Sequence, residues 1–276
     1  MMKNRLNQIL TLIITIHERK SFVQKNIDHY ANCGINVILT DSSEEKIDLP
    51  LPNNFKYIHC PGKIYYKKMF DALSIVNTPY VIEIPDDYYL DLSNIHEFVR
   101  FLYFNDDYCL IDGRYSHKYR EETNNLLTVN FKSSDPFERV MFHTSPDFWK
   151  APNHALNKTK VAREVYSFIL SDKNLYPIRL VDKIWSMICF FHGSYKVINK
   201  NYMHIEPDSS SPRLLLSPEK YKLPKELKCE TSYEQLISDP SIIESLSKYF
   251  INKGYNKDLS IDFVKRIFIG NILNKK

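Results

Sequence analysis

Apolar and polar positions along the first half of the chain switch between two periods. Residues 10–16, LTLIITI, form an unbroken apolar run of strand length, rich in β-branched side chains. Residues 21–34 then place Phe22, Val23, Ile27 and Tyr30 at helical spacing and end on Gly34, a natural helix stop. A second strand is expected at 35–40, INVILT, followed by a polar, proline-bearing loop and a third strand at 55–60, FKYIHC. Residues 63–76 put Tyr66, Met69, Phe70, Leu73 and Val76 on one face of a helix. Residues 78–84, TPYVIEI, read as a fourth strand, and 93–104 as a helix opening at a Ser93 cap.

The resulting order is β-α-β-β-α-β-α, with strands too apolar to have one wet face. That predicts an α/β fold, a mainly parallel sheet covered by helices on both sides. Ligands of such sheets bind outside the carboxyl ends of the strands. Three polar, carboxylate-bearing clusters fall there: His17-Glu18-Arg19 after the first strand, DSSEE from Asp41 after the second, and PDDYY from Pro85 after the fourth. In a parallel sheet they meet at one edge.

The second half is less regular. Residues 135–154 mix aromatics with turn residues, 158–170 and 179–193 have helical spacing, and 194–199 read as a strand. Residues 206–228 are rich in Pro and Ser and are expected to form a loop or lid, and two or three short helices follow from about 232. There is no internal repeat.

Composition narrows the class. With 276 residues, 43% hydrophobic and 25% charged, the chain is long enough for one large α/β domain with an extension. Its 19 tyrosines suit half-buried surface positions or the lining of a sugar or base pocket. Cys33, Cys60, Cys109, Cys189 and Cys229 are odd in number and contain no C-x-x-C pair, which argues against a disulfide framework or a zinc site and for a reducing compartment. The apolar run at 9–16 is too short for a secretory leader, and no run approaches a membrane span. Residues 251–276 hold six basic and two acidic side chains, which equals the whole net charge of +4. This tail reads as a solvated helix face or as a contact with an anionic membrane surface. Nucleic-acid binding would bring a stronger basic bias.

Adjacent carboxylates repel, so Asp86 and Asp87 call for a reason. Either they end a strand in a solvated turn, or they hold a cation such as Mg²⁺ or Mn²⁺ and a phosphate with it. Asp41 ends its strand either in an Asx turn or as an acceptor for a nucleobase or ribose.

Taken in order, these segments resemble family 2 glycosyltransferases of the GT-A fold, which open with an apolar strand, a turn of the P-x-Y-N-R kind, a helix, a strand and an acidic turn. Residues 62–91, from Gly62 through a Lys-bearing helix and TPYV to PDDYYLD, resemble the next block of that family. The nearest likeness is to a bacterial subgroup associated with surface polysaccharide synthesis, and it covers residues 8–115 best. The resemblance implies a GT-A-like (Rossmann-like) fold with a helical C-terminal extension. It places a glycosyltransferase domain at 1–205, with a nucleotide-sugar half at 8–115 and an acceptor half at 116–205, and a lid with C-terminal helices at 206–276. It puts Ile16, His17 and Glu18 against the nucleotide, Asp41 at the base, and Lys67 or Lys68 on the phosphate side. Asp86 and Asp87 take the metal and sugar-phosphate motif, Asp87 as metal ligand, with His204 as a late ligand.

The sequence departs from the family pattern at Thr15 and His17, which replace the usual Pro and Tyr, and in the acidic triplet, where Pro85 or Tyr88 replaces one Asp. With Pro85 as the substitute, Asp87 keeps the metal-binding place; with Tyr88, the metal role is open. A general base for the acceptor hydroxyl is expected near a helix start, and the resemblance puts Asp182 there, where a helix cap or ion pair competes as a reading. Asp147 and Glu164 are weaker candidates.

The implied function is inverting transfer from a nucleotide-diphosphate sugar to a hydroxyl of a bacterial surface glycan or lipid-linked glycan. The implied setting is the cytoplasm or the inner membrane face. Two rivals remain: a nucleotidyltransferase, against which the absence of a Gly-rich loop after the first strand counts, and a non-catalytic glycan- or partner-binding protein.

Overall fold

The structure, a computed structural model, describes residues 6–117, 131–145, 152–206 and 233–268. In chain order the elements begin α1 (Leu6–Ile9), β1 (Leu10–Ile16), α2 (Lys20–Tyr30), β2 (Asn36–Asp41), β3 (Phe55–His59), α3 (Tyr65–Ser74), β4 (Tyr80–Pro85), β5 (Tyr88–Leu90), α4 (Ile95–Phe104) and β6 (Tyr108–His117). They continue α5 (Pro136–Thr144), β7 (Leu156–Lys158), α6 (Thr159–Ser171), α7 (Ile178–His192), β8 (Ser194–Ile205), α8 (Tyr233–Ser238), α9 (Pro240–Asn252) and α10 (Lys257–Phe268).

Eight strands form one sheet in the order β3-β2-β1-β4-β7-β6-β8-β5. The half built from β3, β2, β1 and β4 is parallel throughout. Beyond β4 the sheet is mixed: β7 is antiparallel to β4 and β6, β8 runs parallel to β6, and β5 is antiparallel to β8. The expected α/β sheet with helical layers and a helical C-terminal region is therefore the observed one.

Burial on both faces explains the unbroken apolar strands. Alternate residues of β1 and β4 face opposite ways. Leu12, Ile14, Ile82 and Ile84 pack with Val23 and Ile27 of α2 and Phe98 and Leu102 of α4. Ile13 and Val81 pack with Met69, Leu73, Val165, Trp185 and Ile188 on the other face. Each such side chain contributes about 1.5–3 kcal/mol by leaving water. The second core extends to Leu246, Phe250 and Val264 of α9 and α10, so these helices share it with α3, α6 and α7.

Several local expectations differ from what forms. The α4 helix begins at Ile95 rather than at a Ser93 cap, because Ser93 donates its N–H (2.9 Å) and hydroxyl (2.5 Å) to Asp91 Oδ1 instead. The three-residue strands β5 and β7 are too short to show a period. The β6 strand is masked by Asp112-Gly113, where its pairing with β8 shifts register. A Cβ on Gly113 would lie 2.7 Å from the carbonyl oxygen of Lys200 and from Phe98 and Tyr202, so this is a bulge that only glycine fits. The tyrosines are also deeper than half-buried positions would require. Tyr30, Tyr66, Tyr166 and Tyr202 are fully buried, and each hydroxyl is tied, for example Tyr66 to the carbonyl of Tyr176 at 2.7 Å and Tyr30 to the N–H of Leu90 at 2.7 Å. Among the described residues no helix is long and apolar enough to cross a membrane.

Candidate active site

Parallel pairing brings the three polar strand ends together. Ile16 is in register with Asp41, and Thr15 with Pro85. The turn from β1 to α2 is fastened to the segment after β2. The carbonyl of Ile16 accepts hydrogen bonds from the Ser42 N–H (3.2 Å) and from Lys68 Nζ (3.0 Å), and His17 Nδ1 lies 3.2 Å from the Ser42 hydroxyl. Glu18 has φ 56, a left-handed conformation that costs a residue with a side chain about 1 kcal/mol or more. It is held there from both sides: its N–H donates to Ser43 Oγ (2.8 Å), and its carboxylate accepts from the Glu44 N–H (2.9 Å).

This strained turn aims Arg19 at the acidic pair. Arg19 Nε donates to Asp86 Oδ2 at 3.1 Å, Nη2 donates to Asp86 Oδ1, and Nη1 reaches Asp87 Oδ2 at 3.4 Å. The two carboxylates are 1% and 4% exposed, and the Arg19 side chain 10%. Two adjacent buried carboxylates are tolerable only with such compensation, since a buried charge without a partner costs several kcal/mol. Asn26 anchors the pair through the Asp86 carbonyl at 2.8 Å, and the Glu206 N–H donates to the Asp87 carbonyl at 2.9 Å. Asp86 and Asp87 thus do not sit in a solvated turn.

Asp41 is fully buried. Its Oδ1 accepts from the N–H (2.8 Å) and hydroxyl (2.5 Å) of Ser43, which is an Asx turn, and its Oδ2 accepts from the Tyr57 hydroxyl at 2.6 Å. Burial and the Asp41 hydrogen bond push the Tyr57 phenol up to about 12. Of the two candidate lysines, Lys67 points to solvent and Lys68 turns inward. Lys68 also donates to Ser42 Oγ at 3.0 Å, and burial lowers its ammonium to about 8.

Asp182 lies in the second turn of α7, half-buried, so it is not a helix cap. Asn153 donates to its Oδ1 at 3.3 Å, and the neighbouring His154 Nδ1 lies 2.9 Å from the carbonyl of Glu83. The short turn Pro152–His154 therefore links β4, just before the acidic pair, to Asp182. Glu83 itself is buried in the sheet, with Oε2 accepting from Tyr166 at 2.6 Å and Oε1 without a hydrogen-bond partner. Burial raises its carboxyl to about 8. Tyr65 lies against this group: burial first, then the charges of Glu83 and Asp182, push its phenol up.

The remaining candidates lie elsewhere. His204 sits opposite Tyr89 in the β5–β8 pair, its Nδ1 2.9 Å from Ser116 Oγ, and lines a cavity of about 690 Å³ with Lys25, His29, Tyr89 and Glu206. Glu164 clamps the C-terminal helices: it pairs with His192 at 2.9 Å and Lys253 at 2.8 Å. Burial opposes ionisation there, but the His192 and Lys253 hydrogen bonds outweigh it and hold the carboxyl down at about 2. Asp147 and residues 207–232 of the expected lid lie outside the described residues. Among the described residues no three His, Cys, Asp or Glu side chains come together as a metal-binding set, so Asp86, Asp87 and His204 do not form one. Two adjacent hard carboxylates still suit Mg²⁺ or Mn²⁺, because such ions are commonly held by one or two carboxylates with phosphate and water completing the shell.

Sequence reasoning passed over two residues of this site. Arg19 matches the arginine of the P-x-Y-N-R turn, and Glu83 is a lone carboxylate inside an otherwise apolar strand. Both signals were present in the sequence.

No family model and no curated protein sequence matches the chain. Among solved structures it is similar to TarS of S. aureus. It superposes on TarS 1–349 with a TM-score of 0.57 at 11% identity, covering 96% of this chain and 72% of that one. The match to TarS 1–349 in complex with UDP-GlcNAc has a TM-score of 0.57 at 11% identity and covers 94% and 71%. Against the longer TarS structure the TM-score is 0.56 at 11% identity, and the match covers 95% of this chain but 43% of TarS. At that identity the two chains have their fold in common.

Proposed function

We propose that this chain is a GT-A glycosyltransferase that passes a sugar from a nucleotide-diphosphate donor to a hydroxyl of a bacterial surface glycan. The observation that carries the reading is the meeting of residues 16–19, 41–43 and 86–87 at the carboxyl edge of parallel strands, around a buried acidic pair. The likeness to TarS crystals holding UDP-GlcNAc and UDP supports a UDP-sugar among the donors.

In this reading the base lies against the ends of β1 and β2, where Asp41 fixes the Ser42-Ser43 turn and His17 and Lys68 brace it. The diphosphate lies over Arg19 and the acidic pair. A divalent cation, when bound by Asp86 and Asp87, would neutralise charge on the leaving diphosphate. The acceptor enters on the α7 side. Asp182 takes the proton of the acceptor hydroxyl, and that oxygen forms the new bond to the anomeric carbon from the face opposite the diphosphate. The anomeric C–O bond breaks, its electron pair leaves with the diphosphate, and the configuration inverts. Residues 1–205 act as the transferase domain, with 206–276 as lid and C-terminal helices. Exposed Lys257 and Lys265 of α10 turn toward anionic membrane where a lipid-linked acceptor lies.

A thermal-shift series with UDP, GDP and CDP, with and without Mn²⁺, tests the reading on the wild type and on Asp87→Ala. Saturation to 100 times Kd stabilises the folded state by about 2.7 kcal/mol. The expected result is a raised midpoint with UDP plus Mn²⁺ that Asp87→Ala removes. No shift with any nucleotide would overturn the proposal and favour a non-catalytic binding role.

A further inference from the structure

The side chain that meets Asp182 comes from a turn fastened on several sides. Pro152, Asn153 and His154 form a single short turn between α5 and β7. The Pro152 carbonyl accepts from the Ala155 N–H at 3.0 Å and from Asn157 Nδ2 at 3.4 Å. Asn157 is buried, and its Oδ1 accepts from the Cys189 thiol of α7 at 3.6 Å. The His154 carbonyl accepts from the Tyr202 hydroxyl of β8 at 2.9 Å, and its ring lies 5.1 Å from that of Tyr88, the residue after the acidic pair. His154 Nδ1 reaches the Glu83 carbonyl at 2.9 Å, which ties the turn to β4 just before Asp86. A turn held to β4, β8 and α7 at once is a rigid support for whatever side chain it carries.

It carries Asn153 to α7. Asn153 Nδ2 donates to Asp182 Oδ1 at 3.3 Å, and both residues are half-buried. A donor at a carboxylate oxygen favours the ionised form over the neutral acid. Titratable groups reach this corner from the elements packed on it: Tyr65 of α3, Glu83 of β4, Tyr166 of α6, His154 of the turn and Lys183 of α7. Burial is the main cause that raises Glu83 to about 8 and lifts both phenols above their ordinary value, so none of these three is charged in acid. Lys183 turns to α5, where Nζ donates to the Thr144 carbonyl at 3.4 Å, and His143 of α5 stacks on Phe190 farther along α7.

We infer that Asn153 is the positioning residue of the acceptor site: it holds Asp182 as an ionised carboxylate, at a distance from the acidic pair that the turn Pro152–His154 sets, ready to take the acceptor proton. The inference deepens the reading of Asp182 as the base and rests on it.

The test is a pH titration of the full chain carrying ¹³C-labelled aspartate, read by the side-chain carboxyl resonance that Asp182→Asn removes. It needs neither donor nor acceptor. Asn153→Ala is expected to raise the Asp182 midpoint by about one pH unit, roughly a tenfold gain in proton affinity. Asn153→Asp keeps the shape but replaces the donor by a second carboxyl, and is expected to raise the midpoint further. In the wild type an asparagine side-chain amide should shift with the same midpoint as Asp182, a comparison that needs no variant at 153 to fold. The His154 ring protons, followed in the same samples, separate its titration from that of Asp182. A midpoint unchanged or lowered in a folded Asn153 variant would overturn the inference, as would wild-type spectra in which no asparagine amide follows Asp182. UDP release from UDP-GlcNAc with Mn²⁺ tells the two failures apart. Full release by Asp182→Asn would end the base reading whatever Asn153 does, whereas release lost in Asp182→Asn with no midpoint shift at Asn153 would keep the base and remove its positioning residue.

Discussion

Replacing Glu83 by Gln isolates one buried group whose charge state sets part of the stability. Glu83 is buried under α6 with, among the described residues, a single side-chain hydrogen bond, from Tyr166, and its carboxyl is raised from 4.5 to about 8 by burial. A carboxyl with a raised folded-state pKa supports the fold fully below its unfolded value and loses that support as pH climbs through the folded value. Between pH 4.5 and 8 the folded chain holds a proton that the unfolded chain releases, so stability falls as pH rises. Integrating over that window gives a loss on the order of 3–4 kcal/mol between pH 5 and pH 8 from this group alone. Gln has the same shape and no such dependence. Urea unfolding of wild type and Glu83→Gln at pH 5, 6, 7 and 8 should show the variant gaining on the wild type by roughly 3–4 kcal/mol across the series. The difference between the curves is the quantity to read, because Lys68, lowered to about 8, contributes equally to both. Parallel curves would refute the reasoning and mean that Glu83 is ionised in the folded protein.

Tyr166→Phe removes the hydroxyl that donates to Glu83 Oε2 and should cost about 1–3 kcal/mol in urea unfolding, with near-neutrality counting against a buried network. Asp182→Asn keeps the Asn153 contact within reach and should leave the UDP-induced melting shift intact while lowering transfer about 10²-fold or more; an unchanged rate would move the base elsewhere. Glu164, held down at about 2, has the opposite sign from Glu83: its contribution is present above 4.5 and is lost as pH falls toward 2. Acid unfolding should therefore be shallower in Glu164→Gln, by at most about 3 kcal/mol over that window, and identical acid limbs would contradict the clamp.

The parallel half of the fold was legible because its signals are periodic and local. LTLIITI, NVILT and YVIEI are apolar on both faces because helices cover both faces. The meeting of the three strand ends followed from parallel pairing alone. What escaped was non-local. Strands β5 and β7 are three residues each and exist through their partners β8, β4 and β6. The β6 strand is interrupted by Gly113, whose need is set by Lys200, far along the chain. At the site, the sequence marked the acidic pair but not its counter-ion. An arginine 67 residues away in sequence reaches Asp86 only once β1 and β4 lie side by side. The choice between Lys67 and Lys68 was likewise open until the helix face was known, since neighbouring residues point about 100° apart.

The central claim is that a nucleotide diphosphate binds where the ends of β1, β2 and β4 meet. Hydrogen–deuterium exchange of the wild-type protein with and without UDP and Mn²⁺ tests it most directly. The account predicts slowed exchange in peptides spanning residues 15–20, 41–45 and 85–89, with the C-terminal helices unchanged. Protection confined to another region, such as the cavity lined by Lys25, His29 and His204, or no protection at all, would contradict it.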